Sequence, residues 1–186
     1  MRAQYAQVRL TSAKMAADAH HCSTALSMLD ALRREEPSLP FTAGGLADTL
    51  RPPVMSEQVA AVEWTCGRRQ AAQARWSELS QAVIQGGAPV TIAVADRARQ
   101  RLGRARTGAE RARLERALDA ATNTLESGGT SGPGLVEYAR ASLLSALGRP
   151  DESRQAYRRV FLYPDRGLSH ALARAAMRAP SSTVAR

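Results

Sequence analysis

Nine stretches of helical length follow one another along this chain, most of them bounded by glycine or proline, and that rhythm constrains the fold more than any motif does. The breaks fall at 36–45 (EPSLPFTAGG), 51–55 (RPPVM), 86–89 (GGAP), 127–134 (SGGTSGPG) and 148–150 (GRP), with a tail at 179–186 (APSSTVAR). Between them the spacing predicts helices over 2–19, 22–35, 56–66, 69–84, 91–104, 108–126, 134–147, 151–163 and 167–178. Composition agrees. The chain has 186 residues, 36 of them alanine, and only 4% aromatics. Alanine loses no side-chain entropy in a helix. The one strand-like run, 90–94 (VTIAV), leads straight into ADRARQRLGR and reads as a helix start.

Local signals sharpen two of these boundaries. Thr107 and Glu110 have capping-box spacing, and Leu114, Leu118, Ala121 and Leu125 follow as one apolar stripe. Gly148 can end a helix in the left-handed conformation, and Pro150 can open the next, where its missing N–H costs nothing. Asp151 and Glu152 then occupy a first turn, where the helix dipole favours negative charge. The fold expected is therefore all-α, an array of antiparallel helix pairs. It occupies one domain over 1–178, with an irregular linker at 36–55, a flexible loop at 127–134 and a disordered tail at 179–186.

Two stretches repeat. Aligned on Gly67 and Gly148, 60–79 and 141–160 both read Gly-Arg at the turn. Both place a small residue seven before the glycine (Ala60, Ala141) and five after it (Ala72, Ser153), and an aromatic nine after it (Trp76, Tyr157). Small residues let two helix backbones approach, and the aromatic fills the space one turn on. A third copy starts the chain, where Ala25, Leu29, Leu32 and Pro37 match the second-helix spacing. The region 91–126 matches in part, with Gly108 five after Gly103 but Ala112 where an aromatic stands elsewhere.

This pattern resembles the tetratricopeptide repeat (TPR), a helix–turn–helix unit of about 34 residues. The resemblance is clearest over 135–165, with Pro164 near the family's closing proline. It implies a protein-interaction scaffold whose first helices line a concave groove for a peptide or helix of a partner protein. Carried onto this sequence, that face comprises Lys14, Glu57, Ala61, Trp64, Tyr138, Ser142 and Ser145. The packing positions are Ala25, Gly67, Ala72, Trp76, Gly148, Ser153, Tyr157 and Pro164. A generic bundle of helical hairpins is the competing architecture.

Charge offers a second function. The net charge is +9, and the basic residues are 25 Arg and one Lys. That skew, with so much alanine, is also what a GC-rich genome produces. Residues 1–66 carry net −1 and 67–186 net +10. The segment 97–116 holds eight Arg against two Glu, enough to track phosphates, though no aromatics interleave to stack bases. A solvated helix face with internal ion pairs, such as Glu115 and Asp119 with neighbouring Arg, is the plainer reading. A third reading makes the chain the terminal repeat segment of a larger regulatory or enzymatic protein.

Catalysis has little support. His20-His21-Cys22 is the only cluster of metal-ligand types, and adjacent helical residues point apart, so no metal or cofactor is expected. Cys66 has no histidine near it in sequence and reads as a small buried residue at a helix end. The sequence leaves the pairing of Cys22 with Cys66 open. The 127–134 loop precedes a helix but lacks the Lys-Ser/Thr of a phosphate-binding loop. No apolar stretch is long enough to span a membrane and the start lacks a signal-peptide pattern, so the expectation is cytoplasmic and non-enzymatic.

Overall fold

The computed structural model describes residues 1–85, 87–128, 132–164 and 167–178. The expected tail at 179–186 and the centre of the 127–134 loop lie outside them. The helices are α1 (Arg2–Asp18), α2 (Cys22–Leu32), α3 (Pro53–Thr65), α4 (Arg69–Gln85), α5 (Pro89–Arg101), α6 (Gly108–Glu126), α7 (Pro133–Ala146), α8 (Pro150–Val160) and α9 (Leu168–Arg178). Two short 3-10 turns, Pro40–Thr42 and Ala47–Leu50, interrupt the 36–55 linker. No strand occurs among the described residues, and the VTIAV run is helical. None of the described helices is long and apolar enough to cross a membrane.

The chain divides into two compact units: residues 1–85 with 94–105, and residues 86–93 with 106–186. The division runs through α5, so 91–126 is not a self-contained helix pair. In the first unit α1 packs on α2, α3 on α4, and α3 also on α1 and α2. In the second, α7 packs on α6, α8 and α9, and α8 on α9. Each unit thus has a central helix, α3 or α7, covered by three others.

Three tight pairs, α1–α2, α3–α4 and α7–α8, share one turn. After α3, the Gly67 N–H donates to the Trp64 carbonyl (3.2 Å) and the Arg68 N–H to the Glu63 carbonyl (2.8 Å). After α7, Gly148 donates to Ser145 (3.1 Å) and Arg149 to Leu144 (2.9 Å). These are the paired bonds of a Schellman cap, which needs a left-handed residue at the turn. Gly67 has φ 84° and Gly148 φ 78°. After α1 the same bonds run from His20 to Ala17 (2.9 Å) and from His21 to Ala16 (2.8 Å). There the left-handed residue is His20, φ 63°, the only such non-glycine among the described residues.

With His20 placed on Gly67 and Gly148, the third copy falls into line. Ala13, Ala25 and Leu29 then stand where Ala60, Ala72 and Trp76 stand in α3–α4, and all six are buried. In α7–α8, Ala141 and Ser153 are buried, and the Ser153 hydroxyl donates to the Ala141 carbonyl (2.8 Å). The small residues therefore sit where the helices cross. A left-handed side chain costs about 1–2 kcal/mol that glycine avoids. His20→Gly is expected to raise stability by about 0.5–1 kcal/mol after glycine's extra unfolded-state entropy is subtracted. Urea denaturation checks this; an unchanged or lower midpoint refutes it.

Gly103 forms a similar cap but departs from the repeat. The chain runs on to Thr107, whose side chain and Glu110 close the expected capping box, before α6 starts. Gly108 is exposed and Ala112 half-buried, so neither serves as a crossing residue.

Two boundaries differ from the sequence reading. Helix α3 opens at Pro53, not 56, because a proline at the first helical position gives up no hydrogen bond. Helix α2 stops at Leu32, not 35, because the linker folds back across its end. The Leu46 N–H donates to the Leu32 carbonyl (2.9 Å), and a Cβ on Gly45 would lie 2.5 Å from the Arg33 carbonyl oxygen. Only glycine allows that approach. The Arg2 guanidinium fastens the same linker, donating to the carbonyls of Phe41 (2.7 Å), Ala43 (3.1 Å) and Gly45 (2.6 Å).

Candidate functional site

Of the seven residues that the repeat resemblance places on a groove, Glu57, Tyr138 and Ser142 are buried. Tyr138 and Ser142 are buried at 6% and 7% exposure. The Ser142 hydroxyl donates to the Tyr138 carbonyl (3.1 Å) and lies 3.2 Å from the Tyr157 hydroxyl, and the two tyrosine rings pack 5.8 Å apart. Both side chains work inside their own hairpin. Glu57 is buried and held by Arg97 in a two-pronged pair (2.7 and 2.6 Å). The physical reason is shared: these residues lie on the central helices, whose faces are covered by three neighbours. Of the remaining groove candidates, Lys14 pairs with Asp18 (2.9 Å), Ala61 and Trp64 are half-buried, and Ser145 is exposed.

The packing positions fare differently. Ala25, Ala72, Trp76 and Ser153 are buried, Tyr157 is half-buried, and Pro164 is exposed at the α8–α9 turn. Trp64 packs on Trp76 with centroids 5.2 Å apart, Arg69 lies 5.4 Å from the Trp64 ring and Arg101 6.0 Å from the Trp76 ring. Arginine over an indole face is an attractive arrangement, so this column fastens the α3–α4 pair.

The arginine-rich run 97–116 is mostly exposed or half-buried, and most of its arginines have partners within the protein. Arg97 holds Glu57, Arg99 donates to the Ala105 carbonyl (3.3 Å), and Arg101 covers Trp76. Arg104 donates to the Ser80 hydroxyl (3.0 Å), Arg106 to the Ala146 carbonyl (2.8 Å), and Arg111 pairs with Glu115 (3.5 Å). The run is also split, 97–105 lying in the first unit and 106–116 in the second.

The first unit holds two features that sequence reasoning left open or missed. Cys22 and Cys66 form a disulfide, with Cα atoms 5.0 Å apart, joining the start of α2 to the end of α3. Cys66 is half-buried and bonded to Cys22 across the helix ends, not the buried apolar plug expected. Beside the bridge, Glu63 is 1% exposed and lies between Arg33 (3.0 Å) and Arg75 (2.9 Å). Arg68 grips Asp30 through both oxygens (2.9 and 2.7 Å). That hydrogen-bonded guanidinium holds the Asp30 carboxyl below the usual carboxylate range. No group of three or more metal-ligand side chains converges among the described residues.

What stays open lies on the edge helices. In the first unit, Met1, Val8 and Met15 on α1 are 83%, 64% and 68% exposed. In the second, Leu162 just past α8 is 81% exposed and Met177 on α9 is 41% exposed. Arg158, Arg159, Arg174 and Arg178 of the same unit are also exposed. Arg174 lies 5.7 Å from the Phe161 ring, and Phe161 meets His170 edge-on at 5.1 Å.

Comparison with protein-family models, with curated proteins and with solved structures yields no match at any of the three.

Proposed function

We propose that this chain is a TPR-like interaction scaffold that holds a segment of a partner protein and does no chemistry itself. The observation that carries the repeat reading is the turn that recurs at His20, Gly67 and Gly148, with small residues buried at the same offsets on both sides. Helix pairs built this way bury their apolar faces against neighbours, and the faces left over serve recognition. The exposed apolar side chains of α1, Val8 and Met15, and the burial of Glu57, Tyr138 and Ser142 on α3 and α7 support a partner surface on the edge helices.

The nucleic-acid alternative rests on charge alone, and most of the arginines first offered for it have protein partners. The deciding experiment is affinity capture with the full chain from native lysate, after nuclease treatment, at low and high salt. A discrete protein retained through both treatments supports the scaffold. Binding abolished by nuclease, or falling steeply with salt, transfers the function to nucleic acid.

A further inference from the structure

We propose that the outward face of α1, lined by Gln4, Val8, Thr11 and Met15, docks a helix of the partner protein whose contact face carries leucine and alanine and no charge, an inference that rests on the scaffold reading and gives the partner segment its chemistry.

Two stripes run along α1 at the same spacing, i, i+4, i+7 and i+11. Ala6, Leu10, Ala13 and Ala17 are buried. Gln4, Val8, Thr11 and Met15 lie two residues out of step, on the opposite side of the helix. Val8 is 64% and Met15 68% exposed, and Gln4 is exposed as well. Thr11 is half-buried, and its hydroxyl is spent on the Gln7 carbonyl (2.8 Å). No member of this open stripe is charged, although the water-facing side of a helix usually is. The charged residues of α1 are engaged elsewhere: Arg2 on the linker carbonyls, Arg9 over the Tyr5 ring at 5.9 Å, and Lys14 with Asp18.

The other two copies of the repeat carry the same face, covered. With His20 placed on Gly67 and Gly148, Thr11 corresponds to Gln58 and Ala139, and Met15 to Val62 and Leu143. All four counterparts are buried. Met55, the counterpart of Val8 in α3, is buried too, and Val136 in α7 is half-buried. Beside its hairpin partner, α3 has α1 and α2 against it, and α7 has α6 and α9. On α7, Ala139 and Leu143 share a core with Leu114, Ala117 and Leu118 of α6, one stripe at helical spacing. Among the described residues no helix covers Val8 and Met15. The occupant therefore has the chemistry of α6, leucine and alanine along one face. An acidic or basic face would find no counter-charge on the stripe. A second copy is a poor occupant: its own α1 would set Gln4 and Thr11 against apolar side chains, and its α6 stripe is already buried. Thr11 and Ser12 are small enough to let a foreign helix approach, as small residues do at the crossings within this chain.

The test is fluorescence anisotropy with the full chain. The probe is a labelled synthetic helix of about 20 residues, Leu and Ala along one face and equal numbers of Glu and Lys elsewhere. A scramble of identical composition serves as control. The amphipathic probe is expected to bind at least about tenfold more tightly than the scramble, a gap of about 1.4 kcal/mol. Its affinity should change less than about twofold between low and high salt, since no charge faces it. Val8→Glu with Met15→Glu is expected to abolish binding, and Met177→Glu on α9 to leave it unchanged. All three positions are exposed, so circular dichroism should not change. Equal binding of the scramble, a steep loss with salt, or unchanged binding by the α1 variant overturns the proposal. So does a dimer of the unlabelled chain in light scattering that the α1 variant dissolves, because a second copy then holds the face. If the peptide result fails while lysate capture of a discrete protein persists, the scaffold reading stands and the α1 assignment falls. If the peptide result holds while nuclease removes everything captured from lysate, the scaffold reading falls instead.

Discussion

Reducing the Cys22–Cys66 bridge, or replacing both cysteines by serine, is expected to lower stability by up to about 4 kcal/mol, the chain-entropy value for a loop of this length. The bridge spans 44 residues of sequence, from the first residue of α2 to the end of α3. The folded contacts nearby do not depend on it. Asp30 still grips Arg68, and Arg33 still reaches Glu63. The loss therefore arises in the unfolded chain, which regains the freedom of the opened loop. The reduced protein should keep its helical circular dichroism at low temperature yet melt up to about 8–16 °C below the oxidised form. Amide exchange in α2 and α3 should accelerate. A melting shift of only a few degrees would mean that the loop is held just as firmly without the bridge. The pair also bears on location. Bridges persist in oxidising compartments, whereas the plain start of the sequence led to an expectation of cytoplasm. Alkylating free thiols in intact cells reads which state the pair holds.

The helices were legible because the punctuation that ends them is local. Each segment expected to be helical contains a helix, and where the ends moved the cause was a rule or a contact. Pro53 looked like a breaker and instead opens α3, since a helix start tolerates proline. Leu32 ends α2 because Leu46 and Gly45, far along the chain, close over it. The turn after α1 was harder to see, because His20 occupies the place of glycine. A reading anchored on glycine had no landmark there, although Ala25 and Leu29 kept the right spacing.

The candidate site was far less legible. A helix sequence shows its apolar stripes but not how many neighbours will cover them. Tyr138 and Ser142 read as a recognition face, yet α7 is surrounded by α6, α8 and α9, so they became interior. The arginines were ambiguous in another way. Arg97, Arg104 and Arg106 looked like a phosphate track, and their partners Glu57, Ser80 and Ala146 lie 24 to 40 residues away. Distances of that kind are set by packing, not by local pattern.

Glu63 is where such packing should have the largest energetic consequence. Its side chain is 2% exposed, while its partners Arg33 and Arg75 are 35% and 32% exposed. The pairs are therefore asymmetric. Removing Glu63 leaves two arginines that can turn to water, so Glu63→Leu should cost about 1–2 kcal/mol. Removing both arginines leaves a carboxylate sealed away from water with no hydrogen-bonded counter-charge, only the neighbouring Arg68, which Asp30 already holds. Arg33→Ala with Arg75→Ala should cost about 3–5 kcal/mol, well beyond the value of two half-exposed ion pairs. The decisive comparison adds Glu63→Leu to that double variant. If the stranded charge is the cause, the triple variant is more stable than the double, although it has lost one more native side chain. Urea denaturation of the four proteins measures the difference. A triple variant no more stable than the double would show that the arginines act through their own packing, with the buried carboxylate finding another source of solvation. The expected order, wild type above Glu63→Leu above the triple variant above the double, follows from burial alone.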